Sequence, residues 1–309
     1  MWEGNQTKVK EFILHTLSIN GGAHAGLFTL FLLSYTLTLL GNITIIMLVW
    51  SSTSLHKPMY IFLGNLSFVE IGYTTTTVPK ILSGFLSQKN YISFTDCFLQ
   101  YYFFFSFGSV ECFLLTVMGY DRYLAICHPL RYNELMSSRK CFCLAAVSWA
   151  IGFLWTFVPI ILISHLPFCG NKIDHILCDT GPLLELACIK NFVTELTSSI
   201  TTSVVLLITF CFTCISYVFI IQTTVRIPSS SGRRKAFSTC ASHLTVVIMF
   251  FGCAMFLYVR PSGKHPSLYM NEMGGIVLST VTPFLNPIIY SLRNKEFIKA
   301  VKRVIRHLL

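Results

Sequence analysis

Two carboxylates stand alone in apolar company, Glu70 in "SFVEIGY" and Glu111 in "GSVECFLL". Such a pair can share a proton or offer oxygens to a hard cation such as Na⁺, with Asn42 or Asn286 completing the set. Further along, "MGYDRYLAICHPLRY" (118 to 132) sets Asp121 beside Arg122 and Tyr123. Adjacent residues point to different faces of a helix, so this is not an i,i+4 support. Arg122 is placed to reach across to another helix or to a partner, as an ionic latch would; the plainer reading is a solvated helix end. Cys97, Cys169, Cys178 and Cys188 allow three disulfide pairings, and no cysteine pair shows zinc-site spacing with histidines. Neither an HExxH nor a GxSxG pattern is present, so hydrolytic chemistry of those kinds has no carrier.

The elements that must position these groups follow from composition. The chain has 309 residues, 53% hydrophobic and 12% charged, with mean hydropathy +0.65, too apolar for an ordinary soluble fold. A bilayer core of about 30 Å takes roughly 20 helical residues to cross. Seven runs qualify: about Ala25 to Trp50, Pro58 to Val78, Cys97 to Tyr120, Cys141 to Ile163, Leu196 to Val225, Ala236 to Val259 and Met273 to Leu292. Glu70 and Glu111 are the charges within them. Run length and the need to satisfy every backbone polar group in lipid favour helices over a barrel. The expected fold is an all-α membrane protein, a seven-transmembrane helix bundle over residues 25 to 292. An extracellular segment (1 to 24) precedes it and a cytoplasmic tail (293 to 309) follows. Residues 1 to 24 lack a secretory signal pattern, so the first span is expected to target the chain.

Charge orients the bundle. With the amino terminus outside, fifteen of the 23 Lys and Arg residues fall on the cytoplasmic side, against Asp121, Glu134 and Glu296. The net charge of +10 is therefore a topology signal and implies no nucleic-acid partner. The four cysteines named above then face the oxidising side, and Asn5-Gln6-Thr7 is a glycosylation sequon. At 1.5 Å per residue, Glu111 lies about 16 Å above Arg122, and Glu70 about 18 Å above the inner face. In the tail, Phe297, Val301, Val304, Ile305 and Leu308 recur at helical spacing among Lys299, Lys302, Arg303 and Arg306. That pattern predicts a short amphipathic helix on the inner leaflet against anionic membrane lipid. No cysteine follows Cys253, which argues against a palmitoyl anchor there.

Several motifs in order carry a family likeness: Gly41-Asn42, "PMYIFLGNLSFVE" (58 to 70), "MGYDRYLAICHPLRY", Ser216-Tyr217, "KAFSTCASHL" (235 to 244) and "PFLNPIIYSLRN" (283 to 294). The long loop "CDTGPLLELAC" (178 to 188) belongs with them. The chain resembles a rhodopsin-like G-protein-coupled receptor and, more narrowly, a vertebrate olfactory receptor. The resemblance implies pairs Cys97 with Cys178 and Cys169 with Cys188. It implies a receptor, not an enzyme, that binds small volatile organic ligands and activates a stimulatory, olfactory-type heterotrimeric G protein, raising cyclic AMP. Its implied location is the plasma membrane, in the cilia of olfactory sensory neurons, with no resident cofactor beyond the Na⁺ weighed above. The switch would use Asp121, Arg122, Tyr123, Tyr217, Asn286, Pro287 and Tyr290.

Depth and the family's lining positions place Phe104, Phe105, Gly108, Ser109, Phe251, Ala254 and Tyr258 around the ligand, apolar walls with a few polar groups. Phe251 stands where a tyrosine is usual in the family. Phe104 replaces the carboxylate of amine receptors, and no lysine in the last span serves a retinal Schiff base. The rival reading is a seven-span transporter or ion channel using Glu70 and Glu111 as an ion path. It calls for paired repeats, and the two halves show no duplication.

Overall fold

The computed structural model describes residues 9–16, 23–87, 90–259, 268–292 and 295–308. Asn5, the expected glycosylation site, lies outside the described residues. In chain order the elements are β1 (Glu11–Leu14), α1 (Ala23–Ser51), α2 (Pro58–Leu86), β2 (Asn90–Ser93), α3 (Phe94–Cys127), α4 (Tyr132–Leu135) and α5 (Ser138–Ser164). There follow β3 (Lys172–Ile173), α6 (Thr180–Glu185), α7 (Phe192–Val225), α8 (Ser230–Tyr258), α9 (Leu268–Ile276), α10 (Thr282–Leu292) and α11 (Lys295–Leu308). A π-helical turn, Val277–Val281, joins α9 to α10 into one rod.

Helices α1, α3, α5, α7 and α8 and the α9–α10 rod are long and apolar enough to cross a bilayer. The seventh span, α2, has the same 29 residues as α1 but dilutes its apolar face with Asn65, Glu70 and the run Thr74–Thr77. That run survives in a helix because Thr74 and Thr76 hydroxyls bond back to the carbonyls of Glu70 and Gly72, each at 2.7 Å. Helix starts are chemically marked: Pro58 opens α2. Ser93, Asn191 and Ser229 accept backbone N–H groups at the heads of α3, α7 and α8.

Helix α3 is the axis, packed against α2, α5, α7 and α8. At Gly152 of α5 a Cβ would stand 2.5 Å from Val110 Cγ2 and 2.9 Å from its backbone nitrogen, so a glycine is what allows α5 to lie this close to α3. The outward faces are apolar instead: Leu154 is 72% exposed, Met47 65% and Phe212 59%. Such a surface is stable facing lipid, not water.

At one end, which we term the disulfide end, β1 pairs antiparallel with β2 and parallel with β3. This small sheet was not expected from the sequence. It buries Phe12 and Leu14 in a second apolar core with Phe98, Ile163 and Leu183. Cys97–Cys178 and Cys169–Cys188 are both bonded, the pairing implied by the family likeness.

Candidate functional site

Below that sheet a cavity opens among α2, α3, α5, α7, α8 and the π turn. Helix α3 supplies Phe104, Phe105, Gly108 and Ser109, and spacings of three and four bring them to adjoining faces. Ala254 and Tyr258 face them from α8, so six of the seven expected lining residues are brought together. Phe105 sets its ring edge-on to Tyr258 with centroids 5.4 Å apart, and Tyr73 lies 4.7 Å from Phe104. Thr156 and Thr201 hydroxyls return to carbonyls of their own helices, at 3.1 and 2.6 Å, which keeps their walls largely apolar.

Phe251 is the exception. It is fully buried behind the wall, its ring 5.5 Å from Phe210 and 5.4 Å from Phe250, and Phe250 lines the cavity instead. One residue rotates a helical side chain by about 100°, so depth along a helix does not fix which face is presented. Depth also missed Trp155, Thr202 and Leu278.

The roof is the loop after β3. Cys178 is bonded to Cys97 in the first turn of α3, and its N–H donates to Gln100 Oε1 at 3.0 Å. The next residue, Asp179, accepts the Tyr258 hydroxyl at 3.0 Å and caps α6. Thr180 donates to the Tyr101 hydroxyl at 3.1 Å. The loop is thus tied covalently to α3 and by hydrogen bond to α8, the two helices that carry the expected wall.

Deeper in the bundle, Glu70 of α2 and Glu111 of the neighbouring α3 are each 1% exposed. Glu70 accepts the Asn286 carboxamide N–H and also faces Asn42. Glu70 Oε2, Glu111 Oε1, Asn42 Oδ1, Asn286 Oδ1 and the Tyr290 hydroxyl have no hydrogen-bond partner. Buried oxygens of this kind are normally satisfied, so these five, carried by α1, α2, α3 and α10, stand out from the apolar packing around them. Among the described residues no group of three or more His, Cys, Asp or Glu has metal-site geometry. Any cation here would rest on two carboxylates, two carboxamide oxygens and a phenol.

At the far end the structure corrects one expectation. Helix α3 continues to Cys127, so Asp121, Arg122 and Tyr123 lie inside it and not where it ends. Asp121 is fully buried; its Oδ2 lies 3.5 Å from Arg122 Nη2, and its Oδ1 accepts the Tyr132 hydroxyl of α4 at 2.7 Å. Among the described residues the ion pair of Arg122 is with Asp121 of its own helix. Burial, then the charge of Asp121 and its hydrogen bond, push the Tyr132 hydroxyl above its ordinary pKa, so it remains a donor. Tyr123 shares a hydrogen bond with His128 Nε2 at 3.0 Å.

Tyr217 meets a residue to which the sequence reading gave no role. His243 of α8 is fully buried, with Nδ1 2.8 Å from the Tyr217 hydroxyl and Nε2 3.0 Å from the Leu115 carbonyl. A carbonyl needs a donor, so Nε2 carries a hydrogen and a neutral ring accepts from Tyr217 at Nδ1. His243 thereby bolts α7 and α8 to α3. Its signal in the sequence was a titratable ring in an otherwise apolar stretch. Pro287 lies within a continuous α10, and the departure from α-helical pattern falls earlier, at Val277–Val281.

The olfactory receptor family model matches residues 31–307. Human olfactory receptor 11G2 is 50% identical over 278 residues, 90% of this chain and 80% of the relative. Human olfactory receptor 6N1 is 48% identical over 306 residues, 99% and 98% of the two chains.

Proposed function

Because the chain belongs to the olfactory receptor family, a family of multi-pass G-protein-coupled receptors and not of enzymes, we propose that it detects small, mostly apolar volatile molecules in the roofed cavity. The observation that carries this reading is the cavity itself: aromatic and aliphatic walls, a few hydroxyls, and a loop pinned over it at Asp179 and Cys178. A ligand that fits the active arrangement better than the resting one shifts the population by that difference in affinity. Helix α3 runs from the cavity wall to Arg122 and is bolted to α7 and α8 through His243. Loosening of those contacts would admit a stimulatory, olfactory-type G protein and raise cyclic AMP.

The disulfide end would face the extracellular fluid and the Arg122 end the cytosol, as the bias of basic residues and the bonded cysteines favour, and the family membership is what would place the chain in the plasma membrane of olfactory cilia. Helix α11 would lie on the inner leaflet: Phe297 and Ala300 are buried while Lys302 and Arg303 are exposed. The all-oxygen set around Glu70 and Glu111 suits Na⁺, which would stabilise the resting arrangement.

The test is an odorant panel read by a cyclic AMP reporter, with Arg122→Ala at matched surface expression. Ligand-dependent cyclic AMP in the parent and its loss in the variant is the expected result. A normal response from Arg122→Ala would remove that residue from the switch, and ligand-gated ion flux without cyclic AMP would favour the channel reading.

A further inference from the structure

Between α5 and α7 the cavity wall rests on one aromatic ring. Trp155 of α5 lines the cavity and is also 41% exposed. Ile151 and Val158, four residues before it and three after, share its helix face and are exposed as well, so the ring has one side toward the cavity and another toward lipid. Its indole Nε1–H donates to the Thr201 carbonyl of α7 at 3.0 Å and so bridges the seam. An indole N–H in apolar surroundings needs such a partner, and here the partner belongs to the other helix. On α7, Thr201, Thr202 and Val205 face the cavity while Ile200, Leu207 and Ile208 turn outward.

Helix α5 is soft at this turn. Pro159, inside the helix, has no N–H for the carbonyl four residues back, and that carbonyl belongs to Trp155. A missing bond of this kind is a common origin of bending. Trp155 precedes Ser164, the last residue of α5, by nine residues, about 14 Å, which places it among lipid chains and below the headgroups. The Thr156 and Thr201 hydroxyls are bonded to carbonyls of their own helices, so the way past the ring is largely apolar. The disulfide end is built the opposite way: there the loop is held by the Cys97–Cys178 bond, by Asp179 to Tyr258 and by the Cys178 N–H to Gln100.

We infer that the α5–α7 seam is a portal through which apolar molecules dissolved in the bilayer reach the cavity, with the Trp155 ring as its gate; the inference rests on the cavity being a ligand site. Apolar molecules leave water for lipid and are thereby concentrated beside the seam. Opening breaks the indole bond to Thr201 and turns the ring, and the bend that Pro159 permits gives it room. Entry from the disulfide end has to displace a loop that is tied covalently to α3. Trp155 therefore sets the rate of entry and favours slender, apolar molecules over polar ones.

The probe is a long-chain aliphatic alcohol carrying a diazirine, added to lipid nanodiscs that hold the purified receptor. Light flashes at increasing times after mixing, followed by peptide mass spectrometry, read the rate and the final extent of label on the α3 wall from Phe104 to Cys112. Trp155→Phe keeps a ring without the N–H and should speed labelling roughly threefold to tenfold, the worth of one hydrogen bond. Trp155→Ala removes the ring as well and should speed it about tenfold or more. Pro159→Ala returns a donor to the Trp155 carbonyl and should slow labelling about threefold. Asp179→Ala unpins the roof and should speed labelling less than Trp155→Phe does. An unchanged final extent of label shows that the cavity survives each substitution. Equal rates in the parent and both Trp155 variants, or a larger acceleration from Asp179→Ala, overturn the portal and leave the cavity standing as a ligand site. An α3 wall that stays unlabelled at long times refutes the ligand site itself, and the portal with it.

Discussion

Phe250 and Phe251 are neighbours in sequence and opposites in surroundings: one lines the cavity, the other is sealed against Phe210 with no exposure. Phe251→Ala should therefore cost about 3–5 kcal/mol of stability, seen as a lower melting temperature of the detergent-solubilised receptor. Phe250→Ala should act chiefly on ligand potency; if the two variants trade these effects, the wall has been drawn on the wrong face. His243→Phe keeps a ring but removes the bond to the Leu115 carbonyl and one of two partners of the Tyr217 hydroxyl, which retains the Cys240 carbonyl at 3.3 Å, a loss of about 0.5–1.5 kcal/mol per hydrogen bond. Expected is higher basal cyclic AMP from a looser α7–α8–α3 junction, and unchanged basal output would deny His243 that role. Residue chemistry was legible where it was improbable, since Glu70 and Glu111 have no reason to enter apolar runs without partners. Asn286, named with Asn42 as completing the set, does meet Glu70 across 216 positions, although depth alone carries no azimuth.

Elements were legible in number and order, and less so in their ends. A charged triplet reads as the edge of water, yet α3 runs on past Asp121-Arg122-Tyr123, because Tyr132 returns from α4 to satisfy the carboxylate inside. Tyr132→Phe removes that donor and leaves Asp121 Oδ1 buried and unpaired, a penalty of about 1–3 kcal/mol placed on the resting packing. Basal cyclic AMP should rise, and since the tyrosine pKa is pushed upward, the parent contact should hold across the physiological pH range. A basal signal in the parent that climbs between mildly acidic and mildly alkaline cytosol would contradict this. The π turn was hidden for another reason. In a uniformly apolar run one extra residue per turn leaves no trace in the pattern, and the local sign is the Thr282 hydroxyl bonding five residues back, to Val277 at 3.2 Å.

At the scale of the molecule, two cores are stacked: a long one between the spanning helices and a smaller one under the β1–β2–β3 sheet. Composition exposes the first and conceals the second, because four residues of β1 find their partners near positions 90 and 172 and nowhere nearby. The two disulfides both serve the upper core but close very different loops, 81 residues for Cys97–Cys178 and 19 for Cys169–Cys188. Chain entropy alone makes the longer closure more stabilising by about 1.3 kcal/mol. Geometry widens the gap, since the first bond holds the roof to α3 while the second joins two points of the same loop. Replacing Cys97 and Cys178 by serine should lower the melting temperature further than replacing Cys169 and Cys188, and should abolish ligand response where the other pair only weakens it. Equal losses from both pairs would mean that Asp179, Gln100 and the sheet hold the roof without the covalent tie, and that the cavity is closed by hydrogen bonds alone.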